Sequence, residues 1–270
     1  MRNTVLFLII LLVISCKDMP KEQPDKEMKS EIVEEEVQEY PEALNEVFKA
    51  HGGLASWKNQ KYLSYEIPKK SGREKHQIDL YSRKDIVETD DFSMGFDGQD
   101  VWLFDPEGKY KGDPVFYHNL MFYFYAMPFV LADDGIEYFE TEAISYNGKE
   151  YPGIGIRYED GIGTSPEDEY YLHYDPETMQ MAWLGYTVTY RTGVPSDDIH
   201  WIRYNNWTDI SGLLLPQSIT WHKVEEGKIG EPGNTVAFQE IKVSEQAADK
   251  EVFARPDHAE IRKPVNTTEK

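Results

Sequence analysis

Hydrophobic residues follow three successive patterns along the chain. Val5 to Ile14 is an unbroken apolar run behind Arg2. Ten residues reach only ~15 Å as a helix, about half the hydrocarbon thickness of a bilayer, so the run predicts a secretion signal and not a spanning anchor. Next, Val37, Tyr40, Leu44, Val47, Phe48 and His51 recur at helical spacing. Pro41 suits the first turn, and Gly52-Gly53 is a stop. After Trp57 the period drops to two. Leu63, Tyr65 and Ile67 alternate with polar neighbours, as do Ile78 and Leu80, Val101 and Leu103, and Ile154, Ile156 and Tyr158. Asp97-Gly98, Asn147-Gly148, Asp160-Gly161 and Ser211-Gly212 punctuate these runs. Such pairs tolerate positive φ and favour tight hairpins. The pattern predicts a mostly β (α+β) body of about ten antiparallel strands in meander order, and no block repeats.

Two segments break the simple alternation. In Gln180–Tyr190 and Leu213–His222 both faces of a strand are apolar, so something has to cover the second face: a helix, a ligand or another sheet. Phe116–Ala132 supplies a candidate cover. Fourteen of its seventeen residues are apolar or aromatic and none carries a formal charge with His118 neutral. Its length predicts a helix, started by Asp113-Pro114 and kinked or broken at Pro128. Three roles stay open for it: a buried helix filling a curved sheet, a movable plug or lid over a lipid-sized cavity, or a docking or membrane-contact surface.

Composition narrows the partners. Of 270 residues, 49 are Asp or Glu against 28 Lys or Arg, a net charge of −21. Binding to phosphate backbones works by Lys/Arg displacing counterions, so nucleic acid is not an expected partner, nor is an anionic membrane surface. The one cysteine, Cys16, excludes an intramolecular disulfide. It ends the stretch Val13-Ile14-Ser15-Cys16, which resembles a bacterial lipobox. That resemblance implies cleavage after residue 15, acylation of Cys16, and attachment to the membrane through lipid. Residues 16–40 are then expected to be an acidic, disordered tether, since they hold too few apolar groups to offset their ordering entropy. Residues 257–270 are expected to be a disordered tail.

Several stretches together carry a further resemblance. His51-Gly52-Gly53 followed by Trp57, Phe96-Asp97-Gly98-Gln99-Asp100-Val101-Trp102, Tyr174-Asp175-Pro176-Glu177-Thr178, Ser211-Gly212-Leu213-Leu214-Leu215-Pro216 and Phe253-Ala254-Arg255-Pro256 resemble segments of the lipoprotein-carrier (LolA-like) superfamily of Gram-negative envelopes. The resemblance covers residues 41–256. It implies a curved, half-open antiparallel β-barrel whose apolar concave side is partly plugged by helices, in a bacterial envelope protein, with the outer membrane the expected location. More narrowly, FYHNLMFYFYAMPFVLADDGI and GTSPEDEYYLHYDPET resemble an uncharacterised group of envelope lipoproteins. A lipidated chain departs from the soluble carriers, because a shuttle has to leave the membrane.

No catalytic signature emerges. Gly163-Thr164-Ser165-Pro166-Glu167 lacks the second glycine of a nucleophile elbow, Gly153-Ile154-Gly155 lacks the third glycine of a dinucleotide loop, and no HExxH occurs. No cofactor and no metal are expected. His173 and Asp175 share a spacing that places two ligands together, but a site needs more groups than two. The acidic clusters Asp133-Asp134 and Glu167-Asp168-Glu169 read as solvated loops. The expected function is therefore non-enzymatic: binding of a lipid or acyl chain, lined by Trp102, Phe116, Tyr123, Met127, Trp183, Tyr186 and Trp221, whose rings give contact area and keep a polar tip. Two alternatives stand beside it: an interaction protein with a fully packed core, and a glycan hydrolase using paired carboxylates.

Overall fold

The computed structural model describes residues 39–70, 72–159, 167–225 and 227–264. The expected signal, Cys16 and nearly all of the tether lie outside these residues. Among the described residues no helix is long and apolar enough to cross a membrane.

The first helix, α1 (Glu42–Ala50), buries Leu44, Val47 and Phe48, the face set by the helical spacing. Pro41 precedes it, His51 ends it, and Gly52 and Gly53 follow at φ 100 and 92, angles that a side chain disfavours. A short α2 (Leu54–Lys58) carries the buried Trp57.

A first hairpin series follows: β1 (Tyr62–Pro68), β2 (Arg73–Asp79), β3 (Asp85–Glu88), β4 (Ser93–Phe96) and β5 (Val101–Phe104). The chain then crosses to a second series: β6 (Ile136–Tyr146), β7 (Lys149–Tyr158), β8 (Glu169–Tyr174), β9 (Met181–Tyr186), β10 (His200–Ile210), β11 (Leu213–Glu225) and β12 (Lys228–Ala237). It returns as β13 (Gln239–Ser244), which pairs antiparallel with β1, and ends in β14 (Glu260–Arg262) on the far edge of β5. The result is two seven-stranded antiparallel sheets: β13-β1-β2-β3-β4-β5-β14 and β12-β11-β10-β9-β8-β7-β6. The first sheet thus joins the two ends of the body, its N-terminal meander flanked by C-terminal strands.

Mostly β architecture in meander order is what the alternation predicts. Fourteen described strands stand against the expected ten, because short strands such as β3, β4 and β14 carry too few residues to show a period. The strand expected over Gln180–Tyr190 ends at Tyr186, and β11 runs on past His222 to Glu225. Pairing of Glu260–Arg262 with Val101–Leu103 also carries the folded body past the boundary expected at residue 256.

The uncharged aromatic stretch links the sheets, and it is not one helix. It forms α3 (Pro114–Tyr117), α4 (Leu120–Tyr125) and a 3-10 turn over Phe129–Ala132. Asp113 caps α3 by accepting from the Val115 N–H at 2.9 Å. Pro128 has no N–H to continue α4, and the Met127–Pro128 bond is cis. Met121, Phe122, Phe124, Tyr125, Met127 and the whole 3-10 turn are buried in one cluster with residues of both sheets. Tyr125 stacks on Tyr65 of β1 at 4.4 Å, while Phe124 meets Tyr186 of β9 and Trp221 of β11 at 5.1 and 5.6 Å. Each such ring withdraws surface worth roughly 1.5–3 kcal/mol from water. The stretch is therefore the filling between the sheets.

Candidate functional site

Polar clips fix this filling. On the side of the first sheet, Glu74 of β2 accepts from the Tyr117 hydroxyl at 2.7 Å and lies 2.8 Å from His76 Nε2, with Lys69 Nζ at 3.2 Å. Burial alone would raise the Glu74 carboxyl, but the hydrogen bond and charge of His76, with Tyr117 and Lys69, hold it down at about 2. His118 Nδ1 lies 2.7 Å from Asp85 of β3, both buried. On the other side the Tyr204 hydroxyl of β10 donates to the Phe124 carbonyl at 2.7 Å.

At its C-terminal end the filling opens on a cleft of about 560 Å³. Leu54 and Trp57 come from α2, Leu80, Tyr81 and Arg83 from the β2–β3 turn, and Phe129, Ala132, Asp133 and Asp134 from the 3-10 turn and its exit. Trp57 and Phe129 stack at 4.9 Å, nearly parallel. Asp79 shapes the turn by accepting from the Tyr81 and Ser82 N–H groups at 3.1 and 2.7 Å, and the Tyr81 hydroxyl donates to the Lys58 carbonyl at 3.0 Å. Arg83 takes a positive φ of 58 and lies over the Phe122 ring at 5.1 Å. Its Nη2 donates to Asp133 at 2.6 Å, whereas its buried Nη1 makes no hydrogen bond. Burial raises the Asp133 carboxyl, against the attraction of Arg83. An aromatic wall with a guanidinium and two carboxylates at its rim suits an apolar group that ends in a polar one.

The seven side chains expected to line a ligand do not share one space, and none lines this cleft or the other three described below. Trp102 is buried with Ile86 and Phe253. Trp183 belongs to a separate cluster with Tyr151, Ala182 and Trp201. Met127 lies within the central cluster, with Tyr123, Tyr186 and Trp221 packed against it. Trp221 Nε1 donates to the Tyr186 hydroxyl at 2.9 Å, and Phe116 packs on Tyr190 at 5.0 Å. Periodicity identified these rings as inward or covered, but which rings meet depends on strand register. The cleft residues escaped because Tyr81 and Arg83 sit in a turn, where polar-looking sequence gives no period.

The remaining candidates resolve into structural contacts. His173 is buried, its Nδ1 3.1 Å from the Tyr151 carbonyl, and burial lowers its ring to about 4. Asp175 lies beyond β8 and holds Lys149 at 2.7 Å, so the two do not face a common ligand. Among the described residues no three His, Cys, Asp or Glu converge as a metal site would need. A second cleft, about 580 Å³, is rich in carboxylates, of which Glu137 holds Arg157, Asp168 accepts from Thr189, and Glu169 accepts from the Tyr171 hydroxyl. A third, about 520 Å³, lies around Arg203, and a fourth, about 290 Å³, lies along Ser64–Glu66 and Gln239–Glu240.

No curated protein matches the chain. Among solved structures it is similar to a LolA superfamily protein from Nitrosomonas europaea, at 12% identity over 77% of this chain and 96% of that one, TM-score 0.49. It is also similar to a DUF1329 family protein from Desulfovibrio piger, at 12% identity over 73% and 92% of the two chains, TM-score 0.43. In sequence, residues 113–206, from the cap of α3 to the middle of β10, match DUF6503, a family of unknown function.

Proposed function

We propose that this is a non-enzymatic lipoprotein of the bacterial envelope, anchored through acyl chains on Cys16, probing or holding a hydrophobic ligand in the cleft beside Trp57. In this reading the two sheets form a half-open barrel around the aromatic filling. The ligand sits at the end of that filling and not beneath it. The observation that carries the reading is the cleft beside Arg83, whose lining includes the stacked, largely buried Trp57–Phe129 pair. Two acyl chains at ~0.8 kcal/mol per buried methylene suffice to hold at a bilayer a body whose net charge, −21 for the full sequence, becomes −22 once Arg2 leaves with the signal.

Two experiments test it. Cys16→Ser is expected to move the protein from the membrane to the soluble fraction; unchanged retention contradicts the anchor. Lipid extraction of the purified mature protein, followed by mass spectrometry, is expected to yield an acyl-chain compound in molar proportion that Trp57→Ala loses. The competing reading, an interaction body with no ligand, is favoured by the complete burial of the 3-10 turn and Tyr125. It predicts a protein free of lipid in both forms.

A further inference from the structure

Side chains on a strand alternate between faces, so Trp183 of β9 projects away from the central cluster that holds Leu184. A row crosses that opposite face in register: His173 on β8, Trp183 on β9, Arg203 on β10, Thr220 on β11 and Thr235 on β12. A sheet face turned from the core is ordinarily polar. This one carries a fully buried tryptophan, with Tyr146 and His222 edge-on to it at 4.8 Å each.

Arg203 is the singular member of the row. Its guanidinium lies over the Trp183 and Tyr151 rings at 4.8 and 5.1 Å. Nη1 donates to the Ala182 carbonyl at 2.7 Å and Nη2 to the Tyr151 hydroxyl at 3.4 Å, which leaves three of the five N–H donors uncommitted. Among the described residues no carboxylate lies within ion-pair distance of it, as is also the case for Arg191, whereas Arg73, Arg83, Arg157, Arg255 and Arg262 are each paired. Its cleft is also the exception among the four: the other three include carboxylates and this one includes none, in a chain where acids outnumber bases 49 to 28. Lys149, at the rim, is already matched by Asp175 and Glu177.

We propose that the Arg203 cleft binds an oxyanion, carboxylate or phosphate, carried on a hydroxylated body, the chemistry of an acidic sugar. A planar guanidinium pinned by two rings and a carbonyl is an oxyanion receptor whose ordering cost is met on folding, and it engages either anion bidentately. A space of about 520 Å³ exceeds a bare anion. The rest of the wall suits hydroxyls: Asn147 and Asn205 bring amides, and His222, whose Nδ1 faces the Gly230 carbonyl at 2.9 Å, presents Nε2 as an acceptor. Partial burial weakens the hold of Arg203 on its proton, against the Tyr151 hydrogen bond and the longer-range attraction of Asp175.

The test is titration of the mature chain with glucuronate, glucose 6-phosphate and glucose, followed by NMR at the Arg203 Nε–H and Trp183 indole N–H. One or both acidic sugars are expected to shift these signals saturably, and the acid that does so identifies the oxyanion. Glucose is expected to bind at least about tenfold more weakly, and Arg203→Gln to weaken the acidic sugar by a similar factor. Arg203→Lys keeps the charge without the planar fork and is expected to fall between. Equal response to all three sugars, no response to either acid, or unchanged binding by Arg203→Gln overturns the proposal; the titration of the unaltered chain stands even where a variant does not fold.

Discussion

His51 Nδ1 lies 3.1 Å from the Leu214 carbonyl, and the Leu214 N–H in turn donates to the His51 carbonyl at 3.0 Å. The ring's other nitrogen, Nε2, accepts from the Met181 N–H at 3.0 Å. One neutral imidazole, donating from Nδ1 and accepting at Nε2, thus joins the end of α1 to β11 and to the start of β9. It also sits edge-on to Trp207 at 4.3 Å and to Phe129 at 6.4 Å. Three separated stretches, His51-Gly52-Gly53, residues 174–178 and residues 211–216, thus meet at this ring or within a few residues of it.

Acid should therefore loosen the body from this point. Burial lowers the His51 ring from 6.5 to about 4, against the Leu214 hydrogen bond, which raises it. The folded value lies below the unfolded one, and the folded state holds the neutral form. Its stabilisation is complete above pH about 6.5 and is lost as pH falls towards 4, up to about 3 kcal/mol. His173, also lowered to about 4 by burial, acts in the same direction. Thermal unfolding at pH 7.5 and 5 measures this: the midpoint is expected to drop, and to drop less in His51→Gln from its lower starting value. A midpoint unchanged between the two pH values contradicts the account.

The two glycines after His51 are expected to behave differently. A Cβ on Gly52 would lie 2.1 Å from the Gly212 carbonyl oxygen, backbone that cannot swing aside. A Cβ on Gly53 would find only Ser56 Oγ, at 4.0 Å. Both have positive φ, so Gly53→Ala carries conformational strain alone, about 1–3 kcal/mol. Gly52→Ala adds a steric collision and is expected to cost more than Gly53→Ala. Chemical denaturation of the two variants decides; equal costs would contradict the close approach of α1 to the β10–β11 turn.

Glu74 offers a second acid-sensitive contact, in a lower range. With its carboxyl held at about 2, below the ordinary 4.5, its contribution is present above pH about 4.5 and is lost as pH falls towards 2. Glu74→Gln is expected to destabilise by roughly 2–4 kcal/mol at neutral pH, since it leaves His76 and the Tyr117 hydroxyl in changed company in a buried place. Tyr117→Phe, which spares the charge, is expected to cost roughly 1 kcal/mol. Denaturation at pH 7 separates the two; a larger loss in Tyr117→Phe would mean that the hydroxyl and not the carboxylate secures the filling.

Much of the fold was legible, for reasons that differ by element. Helix α1 showed itself because Leu44, Val47 and Phe48 keep the 3.6 period up to a glycine stop. The double covering of β9 was visible in its composition, since Trp183 and Leu184 fall on opposite parities and both are apolar. The aromatic stretch announced burial by lacking charge, but its division into α3, α4 and a 3-10 turn follows from Asn119, Pro128 and contacts with two sheets that local sequence does not encode. The site was less legible. Trp102, Trp183 and Trp221 are equally apolar in sequence, and only register separates them into three environments. Arg203 resembles any outward arginine on an alternating strand until Trp183 and Tyr151 are brought beneath it.

The central claim, that the aromatic stretch fills the body and a hydrophobic ligand meets it only at the Trp57 cleft, is tested most directly by paramagnetic broadening from a stearate spin-labelled on its chain. Titrated into the mature protein, the label is predicted to broaden the Trp57 indole signal strongly while leaving the indoles of Trp102 and Trp183 sharp. Broadening of Trp102 or Trp183 together with an unaffected Trp57, or no broadening at any indole at saturating stearate, would contradict the account.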